Sequence, residues 1–254
     1  MTRRYFVPEL PPAGGVVGLD PSEARHAVRV MRVAAGDRVT LFDGQGHEAL
    51  AEVIRPGRDE CLCHAEPRRA VDRELPRSLV LAVALPRPER AREMAERLSE
   101  LGVAALVPLV TARTQRPPAD NRLEKLRRAV SESCKQCGRN RLMRIGEPLA
   151  FAKALDWPGD RWLLDPGGRP IPSLLAAEPP AASPGLVVLV GPEGGWTDDE
   201  LGQAGERGVC PISLGPRIYR IETAAVAIAA VVATHWEAAN GETGPNGETG
   251  PKSG

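Results

Sequence analysis

Two glycine-rich turns hold most of the residues in this chain that could do chemistry. The first, LVVLVGPEGGWTDDE, sets Gly191, Gly194 and Gly195 after an apolar run, where backbone N–H and C=O groups can approach a bound molecule with no Cβ in the way. The second, ISLGPRIYRIETA, joins a Leu214-Gly215-Pro216 turn to Arg217, Arg220 and Glu222. Guanidinium groups there can offset negative charge that develops on a ligand, and the carboxylates of Glu193 and Glu222 can accept a proton. Each carboxylate also has a plainer reading: Glu222 as an acid at a helix N-terminus, Glu193 as a turn residue holding backbone N–H groups. Neither turn is a phosphate loop, since no Gly-Lys-Ser/Thr follows and neither fits G-x-G-x-x-G.

Metal chemistry is the other candidate. Five cysteines include two close pairs, Cys61-x-Cys63 followed by His64, and Cys134-x-x-Cys137. The second pair lies in ADNRLEKLRRAVSESCKQCGRN, where Leu123, Leu126, Val130 and Cys134 recur at helical spacing as far as a stop at Gly138. These thiols read as packing residues, so no metal is expected. An odd cysteine count without an export signal also argues against a disulfide framework.

Both glycine turns need elements to position them. From Ser78 onward, apolar runs suited to strands buried on both faces (SLVLAVALP, VAALVPLVT, RWLLD, GLVVLVG, CPISLG) alternate with helical patterns. The helices are PERAREMAERLSELG, the cysteine-bearing segment, TDDELGQAGERG opened by Thr197 with Glu200 three residues on, and ETAAVAIAAVVATHWEAA opened by Glu222 or Thr223. That alternation specifies an α/β sheet with crossover connections, and ligands bind such sheets at the C-terminal strand ends, where both turns fall. Residues 1–72 differ: a short helix around Glu23–Val30, strands at Arg38–Phe42, His47–Ile54 and Asp59–Ala65, and an Asp43-Gly44 hairpin signal make a compact β-rich unit. An arginine-rich linker, Arg68–Arg77, follows. Residues 239–254 repeat NGETGP and read as a disordered tail, leaving 73–238 as the second domain.

The chain of 254 residues carries 33 Lys+Arg against 33 Asp+Glu, but the balance is uneven. Residues 1–150 hold 26 cations and 20 anions, while residues 151–254 hold 7 and 13. Only Lys125, Lys135, Lys153 and Lys252 are lysines, so the basic half is almost wholly arginine, suited to bidentate phosphate contacts. Arg3, Arg4, Arg25, His26, Arg29 and Arg32, with Arg139 beyond the cysteine helix, form a candidate set for contact with a nucleic-acid backbone. No apolar run approaches a membrane span and the N-terminus has no signal-peptide core, so a cytoplasmic protein with no membrane partner is expected.

The succession GPEGGWTDDE and SLGPRIYRIETA, with SELGV, QCGRNRL, RRYFVP and HAVRVMRVAAGD in the same order, resembles the RsmE-type ribosomal RNA methyltransferases of the SPOUT superfamily. The resemblance covers nearly everything from Arg3 to about Trp236. It implies an N-terminal PUA-like β-barrel that binds RNA and an α/β domain with a C-terminal trefoil knot. The implied activity is S-adenosylmethionine-dependent methylation of N3 of a uridine in 16S rRNA, near the decoding centre of the small ribosomal subunit. On this sequence the cofactor would be held by Leu164, Leu189, Gly191, Pro192, Glu193, Gly194, Leu214, Gly215, Ile218, Arg220, Thr223 and Ala224. Catalysis would fall to Arg220 with Glu193 or Glu222, and Arg217 would face the RNA. The apolar helix Ala224–Trp236 would pack at a homodimer interface, although a buried monomer helix would look alike. Tyr219 and Ile221 depart from the family pattern, where leucine and threonine are common. A non-catalytic RNA-binding assembly factor on the same fold is the alternative; a phosphate-binding α/β protein is disfavoured by the missing phosphate loop.

Overall fold

The computed structural model describes residues 3–57, 59–114, 119–171, 175 and 185–242. Its N-terminal part is a six-stranded sheet in the order β1 (Arg4–Phe6), β3 (Arg38–Phe42), β4 (His47–Arg55), β5 (Cys61–Ala65) and β2 (Gly15–Leu19), with β6 (Arg69–Ala70) paired to β4. All pairings are antiparallel except β1 with β3. Alternate side chains of these strands, among them Tyr5, Val39, Leu41, Val53, Cys61 and Cys63, enclose one apolar core. The expected hairpin turn is fixed by Asp43, whose buried carboxylate accepts the N–H groups of Gln45 (2.7 Å) and His47 (3.0 Å). Asp20 likewise accepts from Ser22 and Glu23 to start α1 (Pro21–Arg25), which runs on into a π-helical turn at His26–Val30. Strand β6 falls inside the segment expected to be a linker. It forms because Arg69 reaches Glu48 on the neighbouring strand (2.8 Å).

The second part is a seven-stranded parallel sheet. Its order is β10 (Leu149–Ala150), β8 (Ala105–Val110), β7 (Ser78–Val83), β12 (Gly185–Val190), β11 (Asp160–Pro170) and β13 (Cys210–Ser213), with β9 (Arg144–Ile145) paired to β8. Parallel strands need cover on both faces, and the continuous apolar runs supply it. Leu79, Leu81 and Val83 of β7 point into a core shared with α2 (Pro88–Glu100), α3 (Asp120–Cys137) and α6 (Ile221–Glu242). Val80 and Ala82 point the other way, toward α4 (Phe151–Ala154) and α5 (Asp198–Glu206). Helix α3 ends as its sequence implies, with Gly138 at φ +83° in the left-handed region. Strand β11 is longer than RWLLD suggests: it pairs with β13 through Leu164, bulges, and resumes pairing at Arg169. Helix α6 runs to Glu242, past the position where the tail was expected to begin; residues 243–254 lie outside the described residues. By length and composition α6 is apolar enough to cross a membrane, yet it is one wall of the core described above.

The two parts are fastened by polar contacts at the end of α3. Glu48 of β4 accepts from Arg4 (3.1 Å), Arg69 (2.8 Å), Arg73 (3.5 Å) and Asn140 (3.1 Å) while almost fully buried. Burial alone would raise its carboxyl, but the hydrogen bonds from Arg69, Asn140 and Arg4 outweigh it and hold Glu48 down to about 2.

Candidate active site

At the C-terminal ends of β11, β12 and β13 the chain surrounds a cleft of about 700 Å³, its open mouth included. Leu164, Leu214, Ile218 and Ala224 give it apolar walls, and Gly191, Pro192 and Glu193 form one rim. Where β12 ends, the backbone must turn at once. Gly191 permits this because the ring of Trp196 lies against it; a Cβ would sit 2.8 Å from the Trp196 Cε2 atom. Gly195, at φ +71°, closes the turn by donating to the Pro192 carbonyl (2.8 Å). Thr197 then caps α5 with Glu200 in the reciprocal box that the sequence implies. Glu200 uses its other oxygen to accept from Ala112 beyond β8 (2.8 Å), and the indole of Trp196 donates to the Leu164 carbonyl (2.8 Å). Arg113 completes the bracing by donating to the carbonyls of Gly194, Gly195 and Trp196. The GPEGG turn is therefore held from three strands.

The second turn is built differently. Ser213 accepts the N–H of Gly215 (3.1 Å), whose φ of +109° suits only glycine. Arg217 donates to the Tyr219 hydroxyl (3.1 Å) with its guanidinium over the ring, and Ile218 is 90% exposed at the mouth of the cleft. Tyr219, one of the departures from the family pattern, thus orients an arginine.

Of the residues expected at the cofactor, Leu164, Gly191, Pro192, Glu193, Leu214, Gly215, Ile218 and Ala224 come together around this cleft, and Arg217 joins them. Others do not. The Leu189 side chain is fully buried in the core facing α5, and Gly194 faces a neighbouring cleft. Arg220 and Thr223 are exposed and line neither cleft. Glu222 is turned to Arg90 (3.5 Å) instead of the ligand space. Arg113 and Trp196 received no role from the sequence; the one signal was their position beside strand ends.

The expected RNA contacts also divide. Arg29 and Arg32 are exposed, Arg25 is loosely paired with Asp59 (3.8 Å), His26 is half-buried, and Arg3 pairs with Asp37 (2.6 Å). Arg4 and Arg139 are corrected to structural roles. Arg4 lies over the Phe42 ring and bonds Glu48 and Asn140, while Arg139 is 3% exposed, forks onto Glu74 and donates to the carbonyls of Ser99 and Val103. An arginine in either place invites both readings in sequence, and only packing separates them.

Among the described residues no group of three or more His, Cys, Asp or Glu is placed to hold a metal. Cys61 and Cys63 are buried in the N-terminal core, and burial pushes the Cys63 thiol up to about 12.

The close fit of Trp196 against Gly191 leaves no room for a side chain. Gly191→Ala forces the Trp196 ring aside and is expected to cost about 1–3 kcal/mol, seen as a fall in Tm. An unchanged Tm would show that the turn is looser than its contacts indicate.

Comparison with known proteins sets the class. A family model described as an RNA methyltransferase domain matches residues 73–233, and one described as an RNA methyltransferase PUA domain matches residues 19–66. The ribosomal RNA small subunit methyltransferase E of Synechocystis sp. is 34% identical over 214 residues, which is 82% of this chain and 69% of that protein. The enzyme of the same name from Bacillus subtilis is 28% identical over 240 residues, covering 87% of this chain and 92% of its own length. Among solved structures, the Neisseria gonorrhoeae methyltransferase E bound to S-adenosyl methionine superimposes with a TM-score of 0.84 at 29% identity, over 93% of this chain and 98% of that one. A Legionella pneumophila methyltransferase with bound S-adenosylmethionine gives 0.84 at 28% identity, over 94% and 98%. The chain belongs to the ribosomal RNA small subunit methyltransferase E family.

Proposed function

We propose that this protein transfers a methyl group from S-adenosylmethionine to N3 of a uridine in 16S rRNA, near the decoding centre of the small subunit, in the cytoplasm. The observation that supports it most is the cleft itself: an apolar-walled space at the strand ends, rimmed by Gly191, Pro192 and an unpaired carboxylate, Glu193. The residues fit the cofactor, since Leu164, Leu214, Ile218 and Ala224 can hold its nucleoside and thioether parts, and Gly215, with nothing within 4 Å of where a Cβ would stand, leaves the backbone open to it. When bound, S-adenosylmethionine supplies an electrophilic methyl group on sulfur.

The chain's own residues then have two tasks. N3 of uracil carries a proton that must leave as the N–C bond forms and the C–S electron pair returns to sulfur. Glu193 receives that proton: it is exposed, on the rim, and free of hydrogen bonds among the described residues. Glu222, the other carboxylate considered, is engaged with Arg90. Arg217 offsets the negative charge that spreads to the uracil oxygens, and it lines the cleft where Arg220 does not.

The finer architecture belongs to the same reading. The chain beyond β13 threads as a trefoil knot, so that the turns at Leu164, Gly191 and Gly215 meet in one place. The enzyme acts as a homodimer through α6, whose apolar window is only 39% buried within one chain and which leaves Val231 39% exposed.

Incubating the protein with deuterated-methyl S-adenosylmethionine and small subunits from a strain lacking it tests the reaction. Digestion and mass spectrometry should find one labelled 3-methyluridine in 16S rRNA. A label on another base, or on a ribose, would overturn the proposed target. RNA binding without transfer would favour the assembly-factor alternative.

A further inference from the structure

A second cleft, of about 1410 Å³ with its open mouth included, opens beside the first at the C-terminal ends of β7 and β8. The two share Pro192, Glu193 and Ile221 as a common wall but differ in chemistry. The first is walled mainly by aliphatic side chains. The second gathers three guanidinium groups, from Arg87, Arg113 and Arg122, against the single carboxylate of Glu193.

Internal pairing accounts for only part of this positive charge. Arg113 is committed to the carbonyls of the GPEGG turn. Arg122 donates through one terminal nitrogen to the Pro86 carbonyl, and its Nε is buried with no hydrogen-bond partner. Arg87, at the start of α2, is exposed and has no hydrogen bond or ion pair from its side chain among the described residues. Arg122 lines the cleft with a guanidinium whose N–H groups are only partly satisfied by the protein, which favours an anionic ligand that supplies further acceptors.

We propose that this cleft seats a backbone phosphate of the RNA strand next to the reacting nucleotide, with Arg87 and Arg122 as its donors. The inference rests on the methyl-transfer reading above and adds how the strand is positioned. A phosphate held on the cationic side of the wall directs the attached base across Pro192 and Glu193 into the apolar cleft. Glu193 then stands where base and phosphate sites meet, and its negative charge keeps a second phosphate from occupying the first cleft.

The test compares wild type with Arg87→Gln and Arg122→Gln, and with Arg87→Lys as the charge-retaining control. Anisotropy with a labelled 16S rRNA fragment over a salt series gives RNA affinity, calorimetry gives S-adenosylmethionine affinity, and steady-state transfer to small subunits gives KM and kcat. Each glutamine variant should weaken RNA binding about tenfold and lower the slope of log affinity against log salt by roughly 0.7 to 1, the loss of one phosphate contact. Cofactor affinity should stay at the wild-type value, KM for subunits should rise more than kcat falls, and Arg87→Lys should keep most of the salt slope. Among the described residues the Arg87 side chain makes no hydrogen bond or ion pair, so its glutamine variant reports on binding even if Arg122→Gln proves unstable. An unchanged salt slope and KM in Arg87→Gln would overturn the phosphate site. If wild type binds the RNA with the expected slope, and Arg87→Gln loses it, but neither transfers a methyl group, the phosphate site stands and the catalytic reading fails.

Discussion

Glu193→Gln should reduce kcat for methyl transfer by about 10²- to 10⁴-fold, the range associated with losing a positioned general base. The substitution is nearly isosteric, so the rim of the cleft keeps its shape, and in the proposed reaction the amide cannot take up the N3 proton. Affinity for S-adenosylmethionine should therefore be nearly unchanged by calorimetry. RNA affinity should hold or improve, because the one carboxylate among the three arginines of the second cleft becomes neutral. A fall in kcat with no rise in either KM is the signature of an interaction made in the transition state. Single-turnover transfer to small subunits, at saturating cofactor and RNA, reads it directly. Wild-type turnover in this variant would remove Glu193 from the proton's path and return attention to Glu222.

The second large effect concerns stability. Glu48→Gln should cost roughly 3 kcal/mol, since it removes the charge that four donors surround and leaves guanidinium groups of Arg4 and Arg69 without their buried partner. The same carboxylate gives stability a pH dependence of defined sign. Its folded value, about 2, lies below the ordinary 4.5, so the folded state binds this proton more weakly than the unfolded chain does. The stabilisation is therefore complete above about 4.5 and is lost as pH falls from there toward 2. Urea unfolding at pH 7 and at pH 3.5 should show wild type losing stability on acidification, with Glu48→Gln showing a smaller loss across the same interval. Parallel losses in the two proteins would mean that other groups govern acid unfolding.

Much of this architecture was legible in the sequence, for identifiable reasons. The strands at 78–83 and 185–190 are unbroken apolar runs because they are covered on both faces, and such runs mean little else at that length. The Thr197 cap and the Gly138 stop are local chemistry, readable without any tertiary contact. Strands β6 and β9 were not legible: each has two residues, and each exists because a neighbouring strand offers an edge. The π-helical turn at His26–Val30 was hidden inside an ordinary helical pattern. At the site, the glycines marked both turns correctly, because a residue without a Cβ records close approach in its type. Side-chain direction, which residue type does not record, puts Leu189 in the core and separates the buried Arg4 and Arg139 from surface arginines. Arg113 and Arg122 carry no such mark in the sequence, since they lie in segments with no glycine signature and meet the clefts only through the sheet's strand order.

The fastening at the end of α3 locks the two parts of the molecule at one angle. Within four residues, Gly138 stops the helix, Arg139 grips the turn after α2 and Glu74, Asn140 reaches the Glu48 cluster, and Arg141 faces Gln45 across a β-bridge. Lengthening or shortening α3 by one residue would swing all of these by about 100°, so none would meet its partner. The end of that helix works as a keyed coupling: the stretch from Gly138 to Arg141 sets the angle between the two parts of the molecule.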